Sequence, residues 1–189
     1  MPTRLTMIAS GATPGMRKGR FPNDEPLEAK SRARAAALAS SLGRADRVWV
    51  SPALAARQTA EALGLQATIE PLLAEQDFAR WVGRSFEDVQ AEDPEGMAAW
   101  FADPEAAPHG GEPLSAVARR GAALIERLAG EGGHTIAVSH PVLIRAAIVH
   151  VLGAPLSSVW KIDIEPLSLT DLRNDGRRWV LRASGIPAN

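Results

Sequence analysis

Among its 189 residues the chain has no cysteine, no tyrosine and only four histidines. The missing cysteine excludes a disulfide scaffold, a thiolate nucleophile and any thiolate zinc site. A surplus of one charge sign is missing too. Lys and Arg total 21 against 22 Asp and Glu, a formal net charge of -1. That balance leaves no electrostatic footprint for nucleic acid or an anionic membrane. No apolar run approaches the roughly 18 residues that would suggest a membrane span. The start, Met1 to Ala9, carries too short an apolar run for a signal peptide. The expectation is a soluble, cytoplasmic protein with no nucleic-acid or membrane partner. The hydrophobic content of 46% and charged content of 23% suit a folded globule rather than a disordered chain. The length suits a single domain, residues 1–189, with a sizeable core.

What is present alternates. Leu5 to Ala9 reads as a buried strand ending at Ser10-Gly11, followed by a Gly- and Pro-rich loop to Pro26. Ser31 to Leu42 is an Ala- and Arg-rich helix former. Arg47 to Ser51 reads as a second buried strand, and Pro52 opens a helix that stops at Gly64. Ala67 to Glu70 is a third strand. The segment from Leu72 to His109 holds Trp81, Phe86, Trp100 and Phe101, which need burial, so a helical insertion is expected there. Leu114 to Leu128 has helical spacing, Thr135 to Ser139 reads as a strand, and Pro141 to Leu152 as a helix. The tail reads as strands over 159–163, 167–172 and 179–181, with a tight hairpin at Asn174-Asp175-Gly176. Strands alternating with helices predict a three-layer α/β/α sandwich on a mostly parallel sheet.

Ligands of such sheets gather at the carboxyl ends of strands. Three ends stand out: Ser10-Gly11, Ser51-Pro52 and Ser139-His140-Pro141. His140 therefore lies where a buried strand becomes a helix. His134 begins the same strand and reads as structural; His109 is placed facing solvent or the cleft. The loop from Gly11 to Lys18 lacks the Gly-Lys-Ser/Thr of a P-loop. Its backbone amides, beginning at Gly11, with Arg17, Lys18 and Arg20 make a candidate anion cradle. Ser10, His140 and Glu75 also have the residue types of a Ser-His-acid triad, although no Gly-x-Ser-x-Gly elbow surrounds Ser10. Four scattered histidines without cysteine give no metal-ligand spacing, so no metal and no cofactor are expected.

Five segments, in order, carry a resemblance that covers nearly the whole chain. They are Arg20 to Leu27, Ser51 to Leu63, Leu73 to Gly83, His109 to Pro113, and Val138 to Ala146. Together they resemble the histidine phosphatase superfamily, also called phosphoglycerate mutase-like. That resemblance implies phosphoryl transfer. A histidine after the first strand attacks phosphorus, two arginines and a second histidine hold the phosphoryl oxygens, and an acid protonates the leaving oxygen.

Against that pattern the chain keeps the acid as Glu75, the second histidine as His140, the loop arginine as Arg20 and the Gly-Gly-Glu acid as Glu112. It departs at the nucleophile, which is Ser10, and at both arginines, which are Ala9 and Ala55. Arg57, Arg80, Arg17 and Lys18 are the nearby cations available to replace lost charge. Losing the nucleophile removes the covalent route, and each lost donor costs about 3 kcal/mol of transition-state stabilisation. The resemblance therefore implies a non-catalytic or weakened member that binds a phosphorylated or acidic small molecule. The alternatives are a phosphomonoester hydrolase rearranged around His140 and Glu75, and a Ser10-His140-Glu75 serine hydrolase. A homo-oligomer is compatible with either.

Overall fold

A computed structural model describes residues 2–187. Six strands form one sheet: β1 (Thr3–Ala9), β2 (Arg47–Val50), β3 (Thr68–Ile69), β4 (Gly133–Ser139), β5 (Ser168–Asn174) and β6 (Trp179–Pro187). Their order is β3-β2-β4-β1-β5-β6. The first four are parallel, and the β5–β6 hairpin adds antiparallel to β1. The α/β/α architecture is thus the one the alternation predicts.

The helices are α1 (Pro14–Arg17), α2 (Ala29–Leu38), α3 (Leu54–Ala62), α4 (Phe86–Glu92), α5 (Pro94–Ala102), α6 (Leu114–Glu131) and α7 (Pro141–Leu152). Strand periodicity of two explains how they sandwich the sheet. Leu5, Met7, Ala9 and Ala137 enter one core with Val117, Leu124, Leu128 and Leu143 of α6 and α7. The intervening Ile8, Ile136 and Val138 enter the other core with Ala35, Ala56 and Ala60 of α2 and α3. Both faces of β1 and β4 are covered, which is why these strands read as continuous apolar runs.

The insertion is helical as expected, built from α4, α5 and two 3-10 turns, Pro71–Leu73 and Ala79–Trp81. Its aromatics close a third cluster of Phe78, Trp81, Trp100 and, from the loop after β1, Phe21. Phe21 lies 5.1 Å from Phe78 and 4.9 Å from Trp81, centroid to centroid. That contact, with backbone bonds from Phe21 to Arg84 and from Phe86 to Gly19 (both 2.9 Å), fastens the insertion to the first loop.

One expected strand is corrected. Residues 159–163 do not form a strand; a 3-10 helix runs over Leu156–Lys161. The amide of Ser158 donates to the carbonyl of Pro155 at 2.8 Å, starting the turn. Leu156 and Val159 share one apolar cluster with Leu114 and Val149, and their three-residue spacing is that of a 3-10 face. No helix of the described residues is long and apolar enough to cross a membrane.

Candidate functional site

The carboxyl ends of β1, β2 and β4 open into a cavity of about 500 Å³. Main-chain bonds hold the three ends together. The amide of Ser10 donates to the carbonyl of Ser139 at 2.7 Å, and that of Ser51 to the carbonyl of Val138 at 2.9 Å. His140 follows as the extended residue that caps α7, with Pro141 pre-set for the first helical position. His140 is buried in the cavity floor.

Glu75 arrives from a different element. The turn Pro71–Leu73 is anchored to β4 by the Ser139 hydroxyl, which donates to the Leu73 carbonyl at 2.9 Å. Arg120 of α6 grips the same segment, donating to the carbonyls of Leu72 (2.7 Å) and Ala74 (3.1 Å). Glu112 holds Arg120 through two bonds of 2.7 and 2.8 Å. Glu112 is therefore a brace for the arginine that positions Glu75, and it does not line the cavity.

Glu75 and His140 meet at 3.0 Å, Oε2 to Nδ1. The other ring nitrogen, Nε2, lies 2.7 Å from the Ser51 hydroxyl. Burial pushes the Glu75 carboxyl up, and the charge and hydrogen bond of His140 pull it down. The amide of Gln76 and the charge of Arg120 add to that pull, and the group ends below its ordinary range. Both imidazole nitrogens are thus held by protein groups.

This arrangement corrects the expected Ser10-His140-Glu75 triad. The serine on His140 is Ser51, which is fully buried and also accepts the amide of Ala53 at 3.2 Å. Among the described residues Ser10 Oγ makes no hydrogen bond to His140, although both residues line the cavity.

The expected anion cradle also disperses. Gly11 turns its amide to the Thr59 hydroxyl at 2.9 Å, and that hydroxyl donates to the Ala55 carbonyl at 2.7 Å. The bond locks the loop to α3 and takes the amide away from any ligand. A side chain at position 11 would start 2.8 Å from Ser31 Oγ, so the close approach requires glycine. Arg17 pairs with Glu28, and Lys18 caps α1 at the surface; neither lines the cavity.

Arg57 donates to the carbonyl of Pro52, and Arg80 pairs with Asp93 and the carbonyl of Pro108. Neither reaches the cavity. Arg20 does line it, with its guanidinium on the carbonyl of Gly83 at 3.2 Å. Among the described lining residues it is the one Arg or Lys, set against Asp24, Glu75 and Asp77. The rest of the wall is largely apolar, from Met16, Pro52, Ala53, Ala55, Phe78 and Val82.

His109 faces neither solvent nor cleft. It is buried edge-on against Trp81 and Phe78, at 5.2 and 5.4 Å. Its Nδ1 accepts the amide of Gly111 at 3.0 Å. Burial, with help from Arg80 and against Asp77, holds its pKa low. His134 is structural, bonded to the Thr6 hydroxyl and near the Arg44 carbonyl.

The roles of Arg120 and Gln76, and the contact of Ser51 with His140, are not foreseen from the sequence. Only Ser51 carried a legible signal, as the residue that closes a buried strand. Among the described residues no His, Asp and Glu group is arranged for a metal ion.

Known proteins share this frame. The chain is 29% identical over 167 residues to phosphoserine phosphatase 1 of Hydrogenobacter thermophilus, covering 84% of this chain and 79% of that one. It is 33% identical over 175 residues to the adenosylcobalamin/alpha-ribazole phosphatase of Salmonella typhi, covering 86% of each. A solved mycobacterial glucosyl-3-phosphoglycerate phosphatase superposes with a TM-score of 0.85 at 25% identity, over 98% of this chain and all of the other. The family model of the histidine phosphatase superfamily, branch 1, matches residues 9–187. The chain belongs to the histidine phosphatase superfamily.

Proposed function

We propose that this protein binds a small molecule in the cavity and does not run phosphoryl transfer through a phosphohistidine. The observation that carries the reading is the engagement of His140. It is the cavity's histidine, and Glu75 and Ser51 occupy both its ring nitrogens, at 3.0 and 2.7 Å. A nucleophilic imidazole needs one nitrogen aimed at phosphorus along the line of attack. The residue closing β1 is Ser10, with Ala9 before it and Ala55 across the cavity on α3. The superfamily pattern has the nucleophile and two phosphate-holding arginines at these three positions. Arg20 alone is a thin clamp for a transferring phosphoryl group, whose charge spreads over three oxygens.

The test is phosphate release from p-nitrophenyl phosphate, phosphoserine and a broad panel of phosphomonoesters, against heat-killed protein. The expected result is no turnover above that control. Turnover abolished by His140→Ala would overturn the reading in favour of a rearranged phosphomonoester hydrolase.

A further inference from the structure

One titratable group is buried behind the cavity wall and takes no part in the Glu75–His140–Ser51 chain. His109 is 1% exposed and closed in by Phe78 and Trp81. Its Nδ1 accepts the amide of Gly111 at 3.0 Å, so the neutral ring carries its proton on Nε2. The residues after it are pinned to the wall. The amide of Glu112 donates to the carbonyl of Asp77, and Nε2 of Gln76 donates to the carbonyl of Glu112, both at 2.8 Å. The amide of Arg80 donates to the carbonyl of His109 at 3.3 Å. A Cβ on Gly111 would lie 2.1 Å from the Asp77 carbonyl oxygen, so this approach requires glycine. Gln76, Asp77 and Phe78, the segment held in this way, line the cavity.

A second proton on the ring goes to Nδ1, where the Gly111 amide already points. The acceptor becomes a donor, two N–H groups face each other, and the amide loses its partner. We infer that His109 is a proton-operated latch: when neutral it holds the loop from His109 to Glu112 against the cavity wall, and its protonation on Nδ1 releases the loop and loosens that wall. The charged groups that face the ring are Asp77 on the wall, which favours the charged form, and Arg80 on the turn Ala79–Trp81, which disfavours it. Asp93, at the head of α5, pairs with Arg80 at 2.9 Å. Burial is the largest influence, and it holds the closed ring below its ordinary value of 6.5. An open loop returns the ring to water and to that ordinary value. Opening is therefore least favourable above 6.5 and gains as pH falls below it, until the closed ring is itself protonated. The inference goes beyond the binding reading and does not depend on it.

Hydrogen exchange followed by NMR on the full chain, from about pH 8 to about pH 5 and corrected for intrinsic rates, reads the latch directly. The opening constant of the Gly111 and Glu112 amides is expected to rise by up to about tenfold for each pH unit below 6.5, while that of the β4 amides changes less. In His109→Asn the side-chain oxygen offers Gly111 an acceptor that takes no proton, and the rise is expected to disappear. Ring nitrogen shifts of the parent chain give a second measurement that needs no variant: at neutral pH the proton is expected on Nε2 of His109. The proposal is overturned if the two loop amides open independently of pH, if the β4 amides open in step with them, if His109→Asn keeps the rise, or if Nδ1 carries the proton at neutral pH. None of these results bears on phosphohistidine turnover, which is measured separately.

Discussion

Replacing Glu75 by Gln isolates the charge of the Glu75–His140 pair while keeping its shape. The amide oxygen still accepts the amide of Gln76, a bond of 2.9 Å in the parent, which sets the amide nitrogen against Nδ1, where it donates to the neutral ring. What disappears is charge assistance across 3.0 Å, between side chains that are 22% and 6% exposed. Hydrogen bonds to charged groups contribute about 1.5–3 kcal/mol and neutral ones about 0.5–1.5. The expected loss is therefore about 1 kcal/mol, or about 2–4 °C in Tm for a domain of this size.

The pH dependence is more diagnostic than the size. The carboxyl of Glu75 titrates below its ordinary value of 4.5 in the folded chain. Its contribution is thus fully present above 4.5, where the carboxylate is charged in both states. It is lost as pH falls through the folded value. Thermal melts of parent and Glu75→Gln at several pH values from neutral down into the acid limb give the difference curve directly. A gap that is constant near neutrality and closes below pH 4.5 supports the reasoning. A gap independent of pH, or a variant more stable than the parent at neutral pH, refutes it.

Other changes test how the site is held. Thr59→Ala strands the amide of Gly11, whose partner is the Thr59 hydroxyl at 2.9 Å, and is expected to cost about 1–3 kcal/mol in denaturant unfolding, with Thr59→Ser recovering most of it. Arg120→Met removes a guanidinium shared by Glu112, Leu72 and Ala74. The loss is expected to be about 2 kcal/mol, and the double-mutant cycle with Glu112→Gln should be non-additive, because either change alone strands the other partner. Leu143→Ala empties a fully buried position of the core between sheet and helices, with an expected loss of about 2–5 kcal/mol in the same assay. Ser51→Ala takes the hydroxyl from His140 Nε2. It should move the ring nitrogen resonances of that histidine in NMR spectra while leaving those of His134 in place.

The frame was legible because it rests on local patterns. Apolar runs at 5–9 and 135–139 are buried on both faces, so each run marks a strand without knowledge of its neighbours. Proline after Ser51 and after His140 marked the strand-to-helix corners, and those corners carry the cavity. The partner of His140 was not legible, because Ser51 meets it only through the adjacency of β2 and β4 in a sheet whose order is not the chain order. Arg120 was hidden for a similar reason. It sits in an ordinary amphipathic helix, and its role follows from the turn that packs over it.

The loop cations misled because composition says nothing of direction. Gly11, Arg17 and Lys18 lie near the site in sequence, yet their bonds point to Thr59, Glu28 and the end of α1. The strand expected at 159–163 is replaced by a 3-10 helix because Val159 pairs along the chain with Leu156, three residues before it, on one buried face.

The function proposed for the cavity requires that no phosphoryl group be held covalently on His140. Intact-mass spectrometry after incubation with acetyl phosphate, quenched at alkaline pH to preserve phosphohistidine, addresses it without any assumption about substrate. One unmodified species is expected for the parent chain at every time point. A phosphoryl adduct that accumulates on the parent and vanishes in His140→Ala would contradict it.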